Sequence, residues 1–223
     1  MQAEAASDLL RKRRSSSESP FPIRVRLLGG FGVWVGTRAV GEAAWHLKKA
    51  KSLVKVLALA PGHRLHREQM RDLLWPDSGR EAAVNNLRQT LHAARRTLEP
   101  AVGSRYLASQ DELLVLCPEG SLWVDVEAFE QAARTARRSH EPAAYEAAID
   151  LYAGELLPAD RYEEWAEEHR RRLREEHLSL LPELARLCEE HADFDRAIEA
   201  LRRSLRRNWA PSLLLRVVPL GRR

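Results

Sequence analysis

The segment at residues 77–98 reads DSGREAAVNNLRQTLHAARRTL, and its pattern decides the fold of the first half of the chain. Apolar side chains recur there at intervals of three and four, which is typical of an amphipathic helix. They are Val84, Leu87, Leu91, Ala94 and Leu98. Asp77 or Ser78 can cap the start, and Pro100 follows the end. We predict a helix that begins after residue 79 and ends at Leu98.

The opposite side of this third helix carries side chains that can read base pairs. Asparagine and glutamine pair bidentately with adenine, and arginine pairs with guanine, in the major groove. An idle surface helix more often carries glutamate and lysine. The expected reading residues are Asn85, Arg88, Gln89, His92 and Arg96. An ordinary solvated helix face is the alternative.

Two further helices are predicted ahead of the third, at about residues 47–58 and 66–75, ended by Pro61 and Pro76. Period-two alternation predicts strands at residues 23–28, 31–35 and 38–40, and three more at 106–109, 113–117 and 122–124. The last three are expected to form a terminal hairpin. Three helices between small antiparallel sheets are the order expected of a winged helix-turn-helix domain, here over residues 21–124.

Basic residues on the first helix and just before the second are candidate contacts to DNA phosphates. Such contacts add affinity that is salt-dependent and blind to sequence. Those expected are Lys48, Lys49, Lys51, Arg64 and Arg67, with Lys55 on the same helix as the lysines. A lysine-rich solvated helix is the alternative for any one of them. The predicted hairpin tip, residues 110–112, is acidic and is not expected to enter the minor groove.

The net charge of +4 hides an asymmetry between the two halves of the chain. Residues 21–105 hold 15 Lys and Arg against 6 Asp and Glu, a net charge of +9, whereas residues 106–223 hold 17 against 23, a net charge of −6. Residues 1–20 contribute the remaining +1. A basic half joined to an acidic half indicates that the first half meets a polyanion and the second does not.

The second half is predicted to be all helical, at residues 125–210, in antiparallel pairs of 12 to 16 residues with breaks near 140–142, 158–160 and 191–193. Residues 184–201 have the spacing of a tetratricopeptide unit, with Leu187, Phe194, Ala197, Ile198 and Leu201 as packing positions. Residues 1–20 are expected to be a disordered, basic and serine-rich leader. Residues 211–223 are expected to be a truncated tail, with downstream helices missing.

Several classes of protein are disfavoured by the sequence. We find no Walker, dinucleotide-binding, zinc-protease or serine-hydrolase motif, so we expect neither an enzyme nor a cofactor. His63 and His66 lack partners at metal-ligand spacing apart from Glu68, and loop histidines are the favoured interpretation. Cys117 and Cys188 are expected to be buried, reduced thiols. The acids at 163–168 and the arginines that follow suit surface pairing along a helix, and no apolar run reaches membrane-spanning length.

The chain resembles the amino-terminal unit of bacterial SARP-type transcriptional activators, in which an OmpR-type winged helix-turn-helix precedes the bacterial transcriptional activator domain, BTAD. The resemblance depends on the order of several stretches, namely IRVRLLGGF at 23–31, KAKSL at 49–53, LLW at 73–75, NNL at 85–87, RR at 95–96 and WVDVEAF at 123–129. It implies promoter binding at direct repeats by two protomers, contact with RNA polymerase, and a cytoplasmic, nucleoid-associated protein. Larger members append an ATPase or further repeats, and OmpR-type response regulators carry a receiver domain; neither is found here.

The favoured interpretation is therefore a sequence-specific, DNA-binding transcriptional regulator, and an activator by the resemblance. Its third helix enters the major groove of double-stranded promoter DNA, and its helical domain contacts a second protomer or RNA polymerase. The alternative is a helical-repeat interaction module without specific DNA binding. That alternative accounts for residues 125–210 but does not explain the net charge of +9 over residues 21–105.

Overall fold

The structure is a computed structural model that describes residues 23–99, 106–120 and 122–190, together with Asp193, Asp195, Ile198, Glu199 and Arg202. The predictions for the leader at 1–20 and for the tail at 211–223 lie outside these residues. The fold is mainly helical with two small sheets, as predicted. Contacts divide the chain into two units, one of residues 23–26 and 32–124, the other of Leu27–Phe31 and the residues from Asp125 onward.

The first sheet of the first unit has four strands in the order β3-β2-β1-β7. They are β1 (Ile23–Arg26), β2 (Gly32–Val35), β3 (Arg38–Ala39) and β7 (Leu122–Val124). β1 and β2 pair antiparallel, but β7 lies parallel to β1, with Val124 opposite Val25. The strand at residues 122–124, which was expected to belong to the terminal hairpin, therefore joins the first sheet instead. Val124 and Val25 are both buried, and this burial favours the crossing to the first sheet.

Three helices and a second sheet complete this unit. The helices are α1 (Lys48–Leu59), α2 (Arg67–Leu74) and α3 (Arg80–Leu98), and the strands β4 (Arg64–His66), β5 (Leu107–Gln110) and β6 (Leu113–Leu116) are antiparallel in the order β4-β6-β5. β5 and β6 form the hairpin of the winged helix-turn-helix fold. β4 was not predicted, because its three residues carry one apolar side chain, Leu65, which lies opposite Leu114.

Side chains from all three helices and from β6 form the core of the first unit. Leu57 of α1, Met70 of α2, Leu98 of α3 and Leu114 of β6 are completely buried. Each such residue contributes roughly 1.5–3 kcal/mol of transfer free energy. This core fixes α3 against α1 and leaves the opposite side of α3 in solvent.

The second unit is helical, with α4 (Asp125–Ser139), α5 (Pro142–Leu151) and α6 (Glu167–Glu190). The predicted break at residues 140–142 is confirmed, whereas α6 has 24 residues and exceeds the predicted length. The segment between α5 and α6 contains two short 3-10 turns, Pro158–Asp160 and Glu164–Ala166, so the second predicted break is a longer connection. The third predicted break cannot be compared at residues 191 and 192, which lie outside the described residues.

Leu27–Phe31 joins this helical unit through backbone pairing and one buried carboxylate. Leu157 donates its N–H to the Leu27 oxygen at 2.9 Å, and Gly29 donates to the Glu155 oxygen at 2.9 Å. Asp125, at the start of α4, accepts from the N–H groups of Leu27 and Leu28 at 2.9 to 3.0 Å. Gly29 has φ +72°, and a Cβ there would lie 3.0 Å from the Ala153 oxygen. Only glycine suits this turn.

The tetratricopeptide interpretation is tested at two of its five positions. Leu187 is buried in α6, whereas Ile198 is 45% exposed. Phe194, Ala197 and Leu201 lie outside the described residues. Ile198 therefore does not pack as predicted, and the repeat assignment remains a prediction. Among the helices that the structure describes, none combines the length and apolarity needed to cross a membrane.

Candidate nucleic-acid interface

The predicted reading residues share one exposed face of α3. Asn85, Arg88, Gln89, His92 and Arg96 are all exposed, at spacings of three or four residues that bring their side chains to the same side. These groups can donate hydrogen bonds, and Asn85, Gln89 and a neutral His92 can also accept them. The face thus presents the chemistry that base edges require.

The buried side of α3 differs from the prediction at one end. Leu87, Leu91, Ala94 and Leu98 are buried as expected, but Val84 is 37% exposed and its prediction as a core residue is wrong. Three other residues are buried instead, namely Ala83, Thr90 and Thr97. The cap is also different, because Gly79 occupies the N-cap position without a side-chain hydrogen bond. Ser78 donates its N–H to the Trp75 oxygen at 3.2 Å and belongs to the preceding turn.

The carboxyl half of α3 is held in place by two side chains. Arg95 donates from Nε to the Leu107 oxygen at 2.9 Å and from a terminal nitrogen to Ser109 Oγ at 3.1 Å, both on β5. Thr97 Oγ1 donates to the Ala44 oxygen at 3.0 Å, in the short 3-10 turn before α1. These bonds orient the reading face relative to the hairpin. Arg95 therefore has a positioning role that the sequence did not reveal.

The basic residues of α1 are less uniform than the sequence predicted. Lys48 is exposed and Lys49 is partly exposed. Lys51 pairs with Glu42, a residue of the turn before α1. Lys55 is only 5% exposed, so its placement near the phosphates is wrong. α1 is buried on most of its circumference, and Lys55 lies within that buried part.

Arg64 and Arg67 lie at the junction of β4 and α2. Arg64 is exposed at the first position of β4, and Arg67 is the first residue of α2. The N–H of Arg67 donates to the Glu112 oxygen in the hairpin turn at 2.8 Å. The Nε atom of Arg67 is buried and has no hydrogen-bond partner within the described part of the chain. Arg67 is therefore a cation whose guanidinium group still has an unused hydrogen-bond donor, the Nε–H.

The two histidines near this junction lie in the turn before β4 and at the end of β4. His66 is not a loop residue as expected; it ends β4 and caps α2, accepting at Nδ1 from the Glu68 N–H at 3.3 Å. Gln69 Oε1 accepts from the His66 N–H at 3.3 Å, which completes a capping box. His63 lies in the preceding turn with φ +55°. The residues that the structure describes contain no group of three metal-ligating side chains.

Shifted pKa values mark the core of the helical unit. Burial lowers the pKa of His177 to about 4 and raises the pKa of Tyr152 to about 12. Their rings stack at a centroid distance of 4.2 Å and an angle of 13°, and Phe129 lies 5.4 Å from Tyr152. His177 is thus a neutral packing residue at pH 7. Burial also raises the pKa of Cys117, and both cysteines are buried free thiols as predicted.

Charged pairs in the helical unit lie mostly at the surface of α6. Arg171 contacts Glu168 at 2.7 Å and Glu175 at 3.6 Å, at spacings of three and four residues. Arg170 pairs with Glu167, three residues earlier, as the pattern predicted, but it is buried and not at the surface. It is 6% exposed and donates to the Leu156 oxygen at 3.3 Å and the Asp160 oxygen at 3.1 Å, which fixes the connection before α6. These arginines have structural partners and do not extend the basic surface.

Comparison with solved structures supports the fold. The chain is similar to Mycobacterium tuberculosis EmbR in complex with a low affinity phosphopeptide, with a TM-score of 0.57 and 16% sequence identity. The match covers 83% of this chain and 55% of that one, so the chain spans about half the length of EmbR. EmbR also has a winged-helix domain and a helical domain. No family model matches the chain, and no curated protein matches its sequence significantly.

Proposed function

We propose that this chain is a DNA-binding regulator of transcription, and an activator of the SARP type, that reads promoter DNA through α3. The observation that carries the proposal is the exposed row of Asn85, Arg88, Gln89, His92 and Arg96 on a helix fixed by its core and by Arg95. The likeness in fold to EmbR supports the same architecture. Neither a catalytic step nor a cofactor is part of this function.

The length of the row suits a half-site in the major groove. From Asn85 to Arg96 the helix rises about 16 Å at 1.5 Å per residue. Base pairs are spaced about 3.4 Å apart, so the row spans about five of them. Docked with its axis along the groove, α3 places amides and guanidinium groups against successive base edges. Each bidentate contact then contributes roughly 1–3 kcal/mol of discrimination.

Phosphate contacts flank the reading helix in this proposal. Four cations on α1, on β4 and at the start of α2 are supplied by Lys48, Lys49, Arg64 and Arg67. Lys51 contributes less because it pairs with Glu42. Four neutralised phosphates predict a slope of log K against log salt of about −3 to −4. A binding surface of this kind gives the same affinity term to every sequence.

The helical unit is proposed to serve contacts between proteins. It is the acidic half of the chain, and acidic charge disfavours contact with DNA. Its partners in the proposal are RNA polymerase and a second protomer bound to an adjacent repeat, in the cytoplasm and on the nucleoid. The proposed domains are residues 21–124 for DNA and 125–210 for these partners.

Selection of bound duplexes from random DNA tests the proposal. We expect a specific motif, recovered as two direct repeats, and binding that weakens with salt at the slope given above. Arg134→Ala, which removes an exposed cation of α4, is the control and should leave the slope unchanged. Absence of duplex binding at ~50 mM salt would contradict the proposed DNA-binding function and favour the alternative, a helical interaction module.

A further inference from the structure

A groove of about 340 Å³ lies between α2, α3 and the β5–β6 hairpin. It is within the first unit, and its volume falls in the lower range of small-molecule sites. One wall is α2, with Arg67 and Arg71, and the hairpin contributes Ser109 and Glu112. Arg88 and His92 of the reading face belong to the same groove. The groove therefore adjoins the proposed DNA-binding surface.

The floor of the groove is apolar. Val84, Leu87 and Leu91 line it at a spacing of three and four residues along α3. Leu87 and Leu91 are only 5% and 7% exposed, whereas Val84 is 37% exposed. An apolar group placed on Val84 would remove this surface from water, which is favourable in proportion to the area covered. The exposed Val84 side chain is therefore the surface that the apolar part of a ligand would cover.

The rim of the groove is cationic, and part of its hydrogen-bonding capacity is unused. Arg95 already donates to Leu107 and Ser109, and Arg71 pairs with Glu68 at 3.3 Å. Arg67 differs, since its buried Nε has no acceptor among the described residues. A buried donor without a partner is destabilising, so an anion beside the Arg67 guanidinium is stabilising.

Glu112 limits the charge that the ligand can carry. It is the acidic residue among those that line the groove, and its backbone oxygen accepts from the Arg67 N–H at 2.8 Å. A single acidic group can approach Arg67 and Arg88 while its apolar body covers Val84. Inorganic phosphate would leave the floor uncovered, and a neutral apolar molecule would leave the guanidinium groups without an acceptor. Carboxylate, phosphate and sulfonate groups share the required chemistry.

We propose that this groove binds a small amphiphilic anion, with its acidic group on Arg67 and Arg88 and its apolar body on Val84. Because Arg88 and His92 line the groove and also belong to the reading face, the bound anion competes with DNA. This competition rests on the proposed function, whereas binding of the anion does not. The chain would then release its promoter when such a metabolite accumulates.

Titration of the full chain with 8-anilinonaphthalene-1-sulfonate, a fluorescent amphiphilic anion, tests the site. We expect one saturable site, with affinity about tenfold lower in Arg67→Gln because a charge-assisted bond is lost. Val84→Glu should abolish it, because the added carboxylate repels the sulfonate. Arg80→Gln, an exposed arginine of α3 outside the groove, is the matched control. Equal affinity in all four proteins would overturn the assignment.

Competition experiments on the unaltered chain test whether both the acidic group and the apolar part of the ligand are needed for binding. Decanoate should displace the fluorescent probe, whereas acetate, inorganic phosphate and decanol should not, because each lacks either the tail or the charge. Displacement by acetate or phosphate as effective as by decanoate would show an anion site alone, and displacement by decanol an apolar site alone. Either result overturns the proposal. Since the probe also binds loosened cores, each variant must first show the melting curve of the unaltered chain.

Addition of a selected duplex separates this inference from the proposed function. Displacement of the probe by the duplex supports competition, and duplex binding that leaves the probe in place overturns it. If no duplex binds, the proposed function fails while the probe titration still reports on the groove. If duplex binds and the probe does not, the groove assignment fails and DNA reading stands.

Discussion

Replacement of Asp125 by asparagine is expected to lower the free energy of unfolding of the helical unit by about 2–4 kcal/mol. The side chain is 5% exposed, and its two oxygens accept from Leu27 at 2.9 and 3.0 Å and from Leu28 at 2.9 Å. Asparagine keeps one oxygen and turns an NH₂ group toward an N–H donor. Hydrogen bonds to a charged acceptor contribute roughly 1.5–3 kcal/mol, and a donor left unpaired costs about 1–3 kcal/mol. Because asparagine still accepts through its remaining oxygen, only part of the sum is lost, and we expect about 2–4 kcal/mol.

Amide hydrogen exchange at Leu27 and Leu28, with urea unfolding followed by circular dichroism, measures this effect. Exchange reports the local stability of the segment, so it does not require the two units to unfold together. In Asp125→Asn both amides should exchange about 30-fold faster or more, which is the kinetic equivalent of 2 kcal/mol or more. Glu127→Gln, an exposed acid in the same helical turn, is the control. Unchanged exchange and an unchanged urea midpoint in Asp125→Asn would refute the anchoring role of the carboxylate.

Three further predictions test other parts of the molecule. Gln89→Ala should relax the selected base preference by roughly 1–3 kcal/mol without changing the melting temperature, and an unchanged motif would remove Gln89 from the reading set. Lys48→Ala should weaken binding to all duplexes alike and reduce the salt slope by about one. Lys51→Ala should have a smaller effect, because Lys51 pairs with Glu42. Equal effects of the two substitutions would contradict this assignment. The pKa of His177, lowered to about 4, means that the unfolded chain binds a proton between about pH 6.5 and 4 that the folded chain does not. Stability should therefore fall by up to about 3 kcal/mol as pH drops through that window. His177→Phe should remove this part of the pH dependence in urea midpoints, and an identical pH profile would show that His177 does not cause it.

The elements set by local pattern were predictable from the sequence. The amphipathic period of α3 gave its extent and the exposure of its five reading residues, since helix geometry alone places them on one side. Pro61 and Pro76 ended the first two helices for the same local reason. The division into three helices, a hairpin and a helical unit followed from this order.

The features that depend on distant contacts were not predictable in this way. Leu27 continues the run of β1, yet it belongs with Asp125, which lies 98 positions later. β7 crosses to β1 because of a partner about 100 residues away, which no local turn signal encodes. Val84 fits the apolar period, but the groove beside the hairpin leaves it exposed. Lys55 is buried although charge alone favours solvent, because α1 is covered on most sides.

Methylation protection on a selected duplex tests most directly whether α3 reads the major groove. Dimethyl sulfate methylates guanine at N7 in the major groove and adenine at N3 in the minor groove, so the pattern of protection distinguishes the two. The account predicts protection of guanine N7 within each repeat, with loss of protection at one defined guanine in Arg96→Ala. Protection confined to adenine N3, or a pattern unaffected by Arg96→Ala and Arg88→Ala, would contradict reading by this face.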